Sequence, residues 1–174
     1  MIELLIVVAV ILVITAIAIP NLLRSKMAAN EASATASLRT MGTANAVYYA
    51  VYHIGFAGSL AQLGPTSAAC ATEGSACADL LDSTLSGINP VTATPLKAGY
   101  RFTYYTPSAA PTEIAPNSTY SAVGAPTVHG NTGTSTYCAD QRGPVWKDTS
   151  GNQTTADPTG CAATWPPGGT INPL

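Results

Sequence analysis

The first 23 positions of the chain form an almost unbroken apolar run. Glu3 is its one charged residue, and no ionisable side chain occurs from Leu4 to Leu23. A helix over this segment would span about 30 Å, which is the thickness of the hydrocarbon core of a bilayer. The run predicts a membrane-length helix. It also leaves a carboxylate to be explained, because a charge in lipid costs roughly 2.5 to 3.5 kcal/mol.

Beyond Leu23 the pattern continues as a stripe with spacings of three and four residues. Its positions are Ala34, Leu38, Met41, Ala44, Asn45, Tyr48, Val51 and Tyr52. Such a stripe on a surface rich in Ala, Ser and Thr predicts an amphipathic helix that needs a partner. Pro20 removes a backbone donor and is expected either to kink the helix or to let it loosen in an assembly. We predict one helix over residues 1–53 that ends near Gly55.

The period changes to two in the last part of the chain. Short connections rich in Gly, Pro, Asn and Ser separate four predicted strands, at residues 100–106, 119–125, 135–140 and 144–148. Residues 55–98 lack a clear period and predict a connecting loop with a helical turn or two. The chain therefore divides into an apolar helix (1–23), an amphipathic half of the same helix (24–54), this loop (55–98), and a sheet with a C-terminal loop (99–174).

Composition narrows the range of functions. Charged residues make up 9% of the chain and the net charge is −2, whereas an ordinary soluble protein has roughly 25% charged residues. A basic patch for nucleic acid is not expected, so no specific nucleic-acid binding is predicted. A surface with few charges and many small residues tolerates close packing against copies of itself.

The four cysteines indicate the compartment of the protein. None forms a C-x2-C pair, so a zinc site is not predicted. Four cysteines allow three pairings, and we favour the local one, Cys70–Cys77 with Cys138–Cys161, in an oxidising compartment. The alternative is four reduced and buried thiols.

The apolar run has two ordinary explanations. A secretory signal peptide has basic residues in front of the run, where this chain has Glu3, although Ala16 and Ala18 give the spacing of a cleavage site. A plain membrane anchor is the other explanation. The third is a helix that lies in a membrane and later packs against its own kind.

Two segments carry a resemblance to a known family. "IELLIVVAVILVITAIAIPNL" followed by "RSKMAANEASATASLRT" closely resembles the N-terminal helix of type IV pilins and the related pseudopilins. More loosely, "STYCADQRGPVW" resembles a hairpin in the head of such proteins. The resemblance implies an α+β pilin fold, in which the second half of a long helix packs on a four-stranded antiparallel sheet with a disulfide-stapled tail. It assigns Leu38, Met41, Tyr48 and Tyr52 to that helix–sheet packing.

The resemblance also implies partners and a route of assembly. Members of the family wait in the inner membrane with the head outside, and the pilus assembly machinery then extrudes them into a helical homopolymer. A prepilin peptidase cleaves a leader and methylates the new N-terminus. The family glutamate is the fifth residue of the mature chain but the third here. We therefore expect either that two residues, typically Phe-Thr, precede Met1, or that this sequence begins late.

The resemblance gives the charged residues near the apolar run roles in assembly. It implies that Glu3 pairs with the N-terminal amine of a neighbouring subunit; the alternative is a carboxylate solvated at the membrane edge. Arg24, Lys26 and Glu31, with Arg39 beyond them, are candidates for pairing between adjacent helices, or else form a solvated face. Pro20 is also predicted to take part in assembly.

Catalysis and cofactors find little support in the sequence. His53 and His129 stand alone, and no nucleophile–base pair or phosphate loop is evident, so we predict neither an enzyme nor a bound cofactor or metal. Asn117 and Asn152 begin sequons for glycosylation, a pattern that is also common by chance. The aromatic residues near the helix end allow a conductive filament, although packing explains Tyr48 and Tyr52 better.

The predicted function is that of a structural subunit of an extracellular type IV pilus, which serves adhesion, twitching motility, DNA uptake or surface sensing. The alternatives are a pseudopilin of a type II secretion system, a conductive pilus, and a membrane-anchored binding protein that never polymerises.

Overall fold

The computed structural model of the chain describes residues 1–88, 94–149, 159–161 and 172–173. The helices are α1 (Ile2–Tyr52), α2 (Leu60–Leu63) and α3 (Ser83–Ser86), and the strands are β1 (Leu96–Lys97), β2 (Tyr100–Tyr105), β3 (Ser121–Pro126), β4 (Thr136–Asp140), β5 (Val145–Asp148) and β6 (Asn172–Pro173). This confirms the α+β class. The four predicted strands are present, and a strand of two residues is added at each edge of the sheet.

The long helix α1 runs through Pro20 without a break and contains 51 residues. It ends one turn earlier than the glycine predicted to stop it. His53 adopts the left-handed conformation that commonly follows a helix, and its N–H donates to the carbonyl of Tyr49. Gly55, with a φ of 88°, instead allows the backbone to pass against Asn117, where a Cβ would collide with the main chain.

The sheet is an antiparallel meander in which every strand lies beside its neighbours in sequence, in the order β1-β2-β3-β4-β5-β6. Side chains alternate between its two faces, as the period of two requires. Tyr100, Phe102, Ala122, Tyr137, Ala139 and Val145 belong to the main core with α1. Val123 and Cys138 alternate with them and lie on the opposite face.

The main core lies between the sheet and the second half of α1. Leu38, Met41 and Tyr48 are fully buried there, and Tyr52 packs at the edge. Gly124 lies on the helix side of β3, opposite Phe102 in the register. A Cβ at Gly124 would lie 3.0 Å from the Phe102 ring and 3.7 Å from Leu38. The missing side chain thus lets the helix approach the sheet closely.

Both favoured disulfides are present, Cys70–Cys77 and Cys138–Cys161. The second lies on the face of the sheet away from α1, next to Val123, Tyr105 and Trp146. The buried Asp140 holds this region together, because it accepts hydrogen bonds from the backbone N–H of Arg142 at 2.9 Å and of Cys161 at 3.2 Å. One carboxylate therefore fixes both the turn after β4 and the segment that carries Cys161.

The connecting segment after α1 lies against the helix. Tyr48 donates from its hydroxyl to the carbonyl of Ser75 at 2.6 Å, inside the loop that Cys70–Cys77 closes. Burial, followed by the neighbouring Tyr52, raises the pKa of Tyr48 to about 12. Helix α3 begins after Asp82, whose carboxylate accepts from the N–H of Leu85 at 2.7 Å. These contacts place the predicted loop on the same side of the sheet as α1.

Candidate membrane and assembly helix

The first half of α1 projects from the rest of the molecule. Every residue from Met1 to Lys26 is exposed, and no part of the most apolar window of the helix, with a mean hydropathy of 3.1, is covered by the head. Apart from the terminal Met1, the large apolar side chains of this segment are between 44% (Val8) and 73% (Ile2) exposed. By its length and composition, α1 could cross a membrane.

The backbone of this segment meets most of its own hydrogen-bonding needs, as an apolar environment demands. Thr15 donates from its hydroxyl to the carbonyl of Leu12 at 3.0 Å, so its polar group is satisfied within the helix. Pro20 is the exception, because a proline has no N–H to offer the carbonyl one turn earlier, that of Ala16. The helix therefore lacks one backbone hydrogen bond here, and its loosening in an assembly stays a prediction.

The predicted assembly charges fall into two groups. Glu3, Arg24 and Lys26 are exposed, and within the described residues none of them has an ion-pair or hydrogen-bond partner. Glu31 is different, since it lies beyond the apolar segment and packs against the head. A pairing of Glu31 with another subunit stays a prediction, while its contacts within the chain are clear.

Glu31 connects α1 to the sheet and to the loop before β4 through hydrogen bonds and an ion pair. One carboxylate oxygen accepts from the N–H and the hydroxyl of Thr134, both at 2.9 Å. The other accepts from the hydroxyl of Tyr137 at 3.0 Å and lies 3.8 Å from the ammonium group of Lys147. The solvated face that was the alternative role of Glu31 is therefore wrong, because both oxygens are occupied inside the molecule.

The electrostatics of Glu31 follow from these contacts. Burial by itself would raise the pKa of the carboxyl, but the hydrogen bonds from Thr134 and Tyr137 and the charge of Lys147 together lower it below its ordinary value of 4.5. Tyr137 responds in the opposite direction, since burial and the Glu31 carboxylate raise the pKa of its hydroxyl. The charged form of Glu31 is thus the form that the fold favours.

The attachment of α1 to the head begins one residue earlier. Asn30 donates from its side-chain amide to the carbonyl of Thr132 at 2.9 Å. Asn30 and Glu31 therefore hold the loop before β4, and the fully buried positions of α1 start only at Ala34. The helix is free before this pair and packed after it.

A second polar contact lies deeper in the helix–sheet interface. Asn45, which occurs in the apolar stripe, is fully buried. Its carbonyl oxygen accepts from the hydroxyl of Tyr104 at 2.6 Å, and its amide donates to the carbonyl of Met41 at 3.0 Å. Because a buried polar group without a partner is costly, this pair favours a single register between α1 and β2.

A groove of about 670 Å3 runs along the outward side of the packed half of α1. The helix contributes Arg39, Gly42, Thr43 and Ala46, and the far wall contains Tyr120 and the turn after β4. Tyr49 and Phe56 close one end, with ring centroids 5.2 Å apart. Sequence reasoning missed this feature, because it depends on how the turn approaches the helix.

The sequon at Asn117 does not fit glycosylation of the folded chain. Asn117 is 1% exposed, and its amide nitrogen donates to the carbonyls of Ser108 at 2.8 Å and Phe56 at 3.2 Å. The nitrogen that would carry a sugar is thus buried and occupied, so the side chain instead ties the end of α1 to the loop after β2. The second sequon, at Asn152, lies outside the described residues.

The described residues offer no obvious centre for catalysis or metal binding. His53 ends α1, and His129 contacts the carbonyl of Thr134 at 3.1 Å. Within the described part of the chain, no three His, Cys, Asp or Glu side chains form a group that could hold a metal ion.

Models of protein families, curated proteins and solved structures were each compared with the chain, and none of the three comparisons found a match. The structure itself fits a pilin-like layout: a long apolar N-terminal helix, an antiparallel sheet on its second half, and a disulfide near the C-terminus.

Proposed function

We propose that the chain is a structural subunit that polymerises into an extracellular type IV pilus. The observation that carries the proposal is the contrast between the two halves of α1. The second half buries one face in the main core, whereas the first half has an apolar surface that nothing in the described residues covers. Adhesion, twitching motility, DNA uptake and surface sensing are the processes that such a filament serves.

Residues 2–23 need an apolar environment. Burying one large aliphatic side chain contributes about 1.5 to 3 kcal/mol, so a run of them cannot stay in water. The inner membrane would cover the segment before assembly, and copies of the same helix would cover it in the filament. A head with its own core and two disulfides would stay folded during this exchange.

Glu3 would favour the filament over the membrane. In the membrane its carboxylate would be costly, since it has no partner among the described residues. In the filament it would meet the N-terminal amine of a neighbour, an attraction that is strong in a low dielectric although desolvation offsets part of it. Joining the filament would therefore relieve an unpaired charge.

Electron microscopy of material sheared from producing cells tests the function. We expect long thin filaments that contain this chain. A chain that stays in the membrane without filaments would contradict the proposal and indicate an anchored binding protein. If filaments form but a deletion strain shows no retraction defect, the chain belongs to a secretion pseudopilus.

Glu3→Ala tests the role of the carboxylate. We expect the variant to reach the membrane in normal amount but to give at least about tenfold fewer filaments, because the charge that favours docking is lost. The matched control is Glu113→Ala, which removes an exposed carboxylate from the head. Normal filament yield from Glu3→Ala would refute the role of Glu3.

A further inference from the structure

The connection between β2 and β3 contains a turn with an apolar tip. The backbone N–H of Thr112 donates to the carbonyl of Ala115 at 3.2 Å, and the N–H of Ala115 donates back at 3.1 Å. Glu113 and Ile114 lie between them at the tip, and Ile114 is 98% exposed. Turn positions usually carry Gly, Pro, Asn, Asp or Ser. The uncovered aliphatic side chain is therefore the feature of this turn that the fold of one copy does not explain.

Contacts on both sides attach this turn, residues 112–115 and here called the Ile114 turn, to the head. Before it, Gln62 donates from its side-chain amide to the carbonyl of Ala109 at 3.3 Å. The backbone of Gly58 lies so close to Ala109 that a Cβ would collide with it. After the turn, the buried Asn117 binds the segment that follows α1. A tip that is supported on both sides loses little conformational entropy when it binds a partner.

The groove of about 670 Å3 beside α1 contains hydrogen-bond donors that lack acceptors. Tyr120 is 3% exposed, and its hydroxyl has no hydrogen-bond partner among the described residues. Burial, followed by the Asp140 carboxylate, raises the pKa of Tyr120 to about 12, so the hydroxyl stays protonated. Arg39 on the helix wall is exposed, and its guanidinium group has no partner in the described part of the chain. Because a buried donor without an acceptor is costly, the groove favours an occupant that brings acceptors.

The same groove has an aromatic end. Tyr49 and Phe56 form it, and the Phe56 ring also lies 4.8 Å from the ring of Tyr120, measured between centroids. Gly42 and Ala46 line the helix wall with little or no side chain. The groove therefore combines an apolar surface with unsatisfied donors and a positive charge.

The Ile114 turn carries the complementary groups. Its tip combines one aliphatic side chain with the carboxylate of Glu113. The backbone carbonyls of Glu113 and Ile114 accept no hydrogen bond within the described residues, so they are available to donors of a partner. Since Ile114 is almost fully exposed, the turn does not occupy the groove of its own copy.

We infer that the Ile114 turn of one copy docks in the groove of a second copy. Ile114 packs against Tyr49 and Phe56 at the aromatic end, and Glu113 points toward Arg39 at the other. The inference rests on the proposed function and adds a contact between heads to the packing of the apolar helices. It joins two different surfaces, so each copy can bind one neighbour through its turn and another through its groove.

The two tip residues contribute differently to this contact. The exposed charges of Glu113 and Arg39 orient the turn but add little affinity, so the loss of the Glu113 carboxylate alone should leave the filament yield near normal. The loss of the Ile114 side chain removes the apolar contact itself. A single turn buries too little surface to hold two heads together without the helices, so the contact forms within the filament.

Cysteine cross-linking in filaments of the full chain tests the contact. Ile114→Cys with Ala46→Cys places one thiol on the turn and one in the groove, while the native cysteines stay in their disulfides. A disulfide requires Cβ atoms about 3.5 to 4.5 Å apart, so after mild oxidation we expect at least about fivefold more linked subunits on a non-reducing gel than in the control. The control is Val128→Cys with Ala46→Cys, since Val128 is an exposed aliphatic residue of another loop.

A second variant keeps the test independent of the cysteines. Ile114→Ser should lower the filament yield by about fivefold or more, because the apolar contact is lost, whereas Val128→Ser should leave it unchanged. Immunoblots of the membrane fraction verify that each variant is present in normal amount. Equal cross-linking in both cysteine pairs, or a normal filament yield from Ile114→Ser, would overturn the inference and leave the proposed function intact. Absence of filaments from the wild type would overturn both.

Discussion

Glu31 is the residue whose role the structure changes most. Its carboxylate joins α1 to the loop before β4 through Thr134, to β4 through Tyr137 and to β5 through Lys147. In the sequence it stands among small and polar residues, and nothing there distinguishes it from a surface position. Its importance depends on partners more than 100 residues away, and no local pattern encodes such a distance.

Replacing Glu31 by Gln should lower the free energy of unfolding of the head by about 1 to 3 kcal/mol, because charge-assisted hydrogen bonds are lost. The pKa of Glu31 is lowered in the folded state. Its stabilisation is therefore fully present above its ordinary pKa of 4.5 and is lost as the pH falls through the folded value. Urea unfolding at pH 7 and at acidic pH measures the difference between variant and wild type.

We expect this difference to be large at pH 7 and to shrink below pH 4.5. Glu113→Gln provides the control, since Glu113 is exposed and has no hydrogen-bond or ion-pair partner among the described residues. A difference that stays constant with pH would mean that shape, and not charge, explains the role of Glu31.

At the scale of elements, local periodicity predicted most of the fold. The stripe that includes Leu38, Met41 and Tyr48 identified the buried face of α1, and the period of two identified β2 to β5. The strands β1 and β6 contain two residues each and are too short to show a period. The end of α1 was predicted to within one residue, although a left-handed His53, and not the predicted Gly55, follows the helix.

The two disulfides should contribute unequally to the stability of the head. Cys138–Cys161 closes 23 residues and Cys70–Cys77 closes seven. In the chain-entropy model, removing the larger loop costs about 3 kcal/mol, and removing the smaller costs about 1 kcal/mol less. Replacing both cysteines of each pair by Ala, followed by urea unfolding, measures the two losses. Equal losses, or a greater loss at Cys70–Cys77, would contradict the loop-length argument.

At the scale of the molecule, the chain has two parts, an uncovered apolar helix segment and a packed head. They meet at Asn30 and Glu31. Before this pair the helix has no buried residue, and after it the helix supplies Ala34, Leu38 and Met41 to the core. The sequence predicted the two halves of α1 from their composition. It did not predict that the first contacts of the helix with the head would be polar, since Asn30 and Glu31 do not stand out from their neighbours.

This division predicts how the chain responds to truncation. A chain that begins at residue 28 keeps Asn30, Glu31 and every buried position of α1, so we expect a soluble monomer with both disulfides and a cooperative unfolding transition. A chain that begins at residue 42 loses Ala34, Leu38 and Met41. Each large-to-small loss in a core costs about 2 to 5 kcal/mol, and a domain is stable by only about 5 to 15 kcal/mol, so this second chain should not fold.

Size-exclusion chromatography and circular dichroism distinguish the two truncated chains. The first should elute as a monomer without detergent, because residues 2–23 carry the exposed apolar surface that would drive association. The control is the full chain, which should need detergent or lipid to stay in solution. If the chain from residue 28 associates as strongly as the full chain, the head itself carries an adhesive surface, and the apolar half of α1 is not the main cause of assembly.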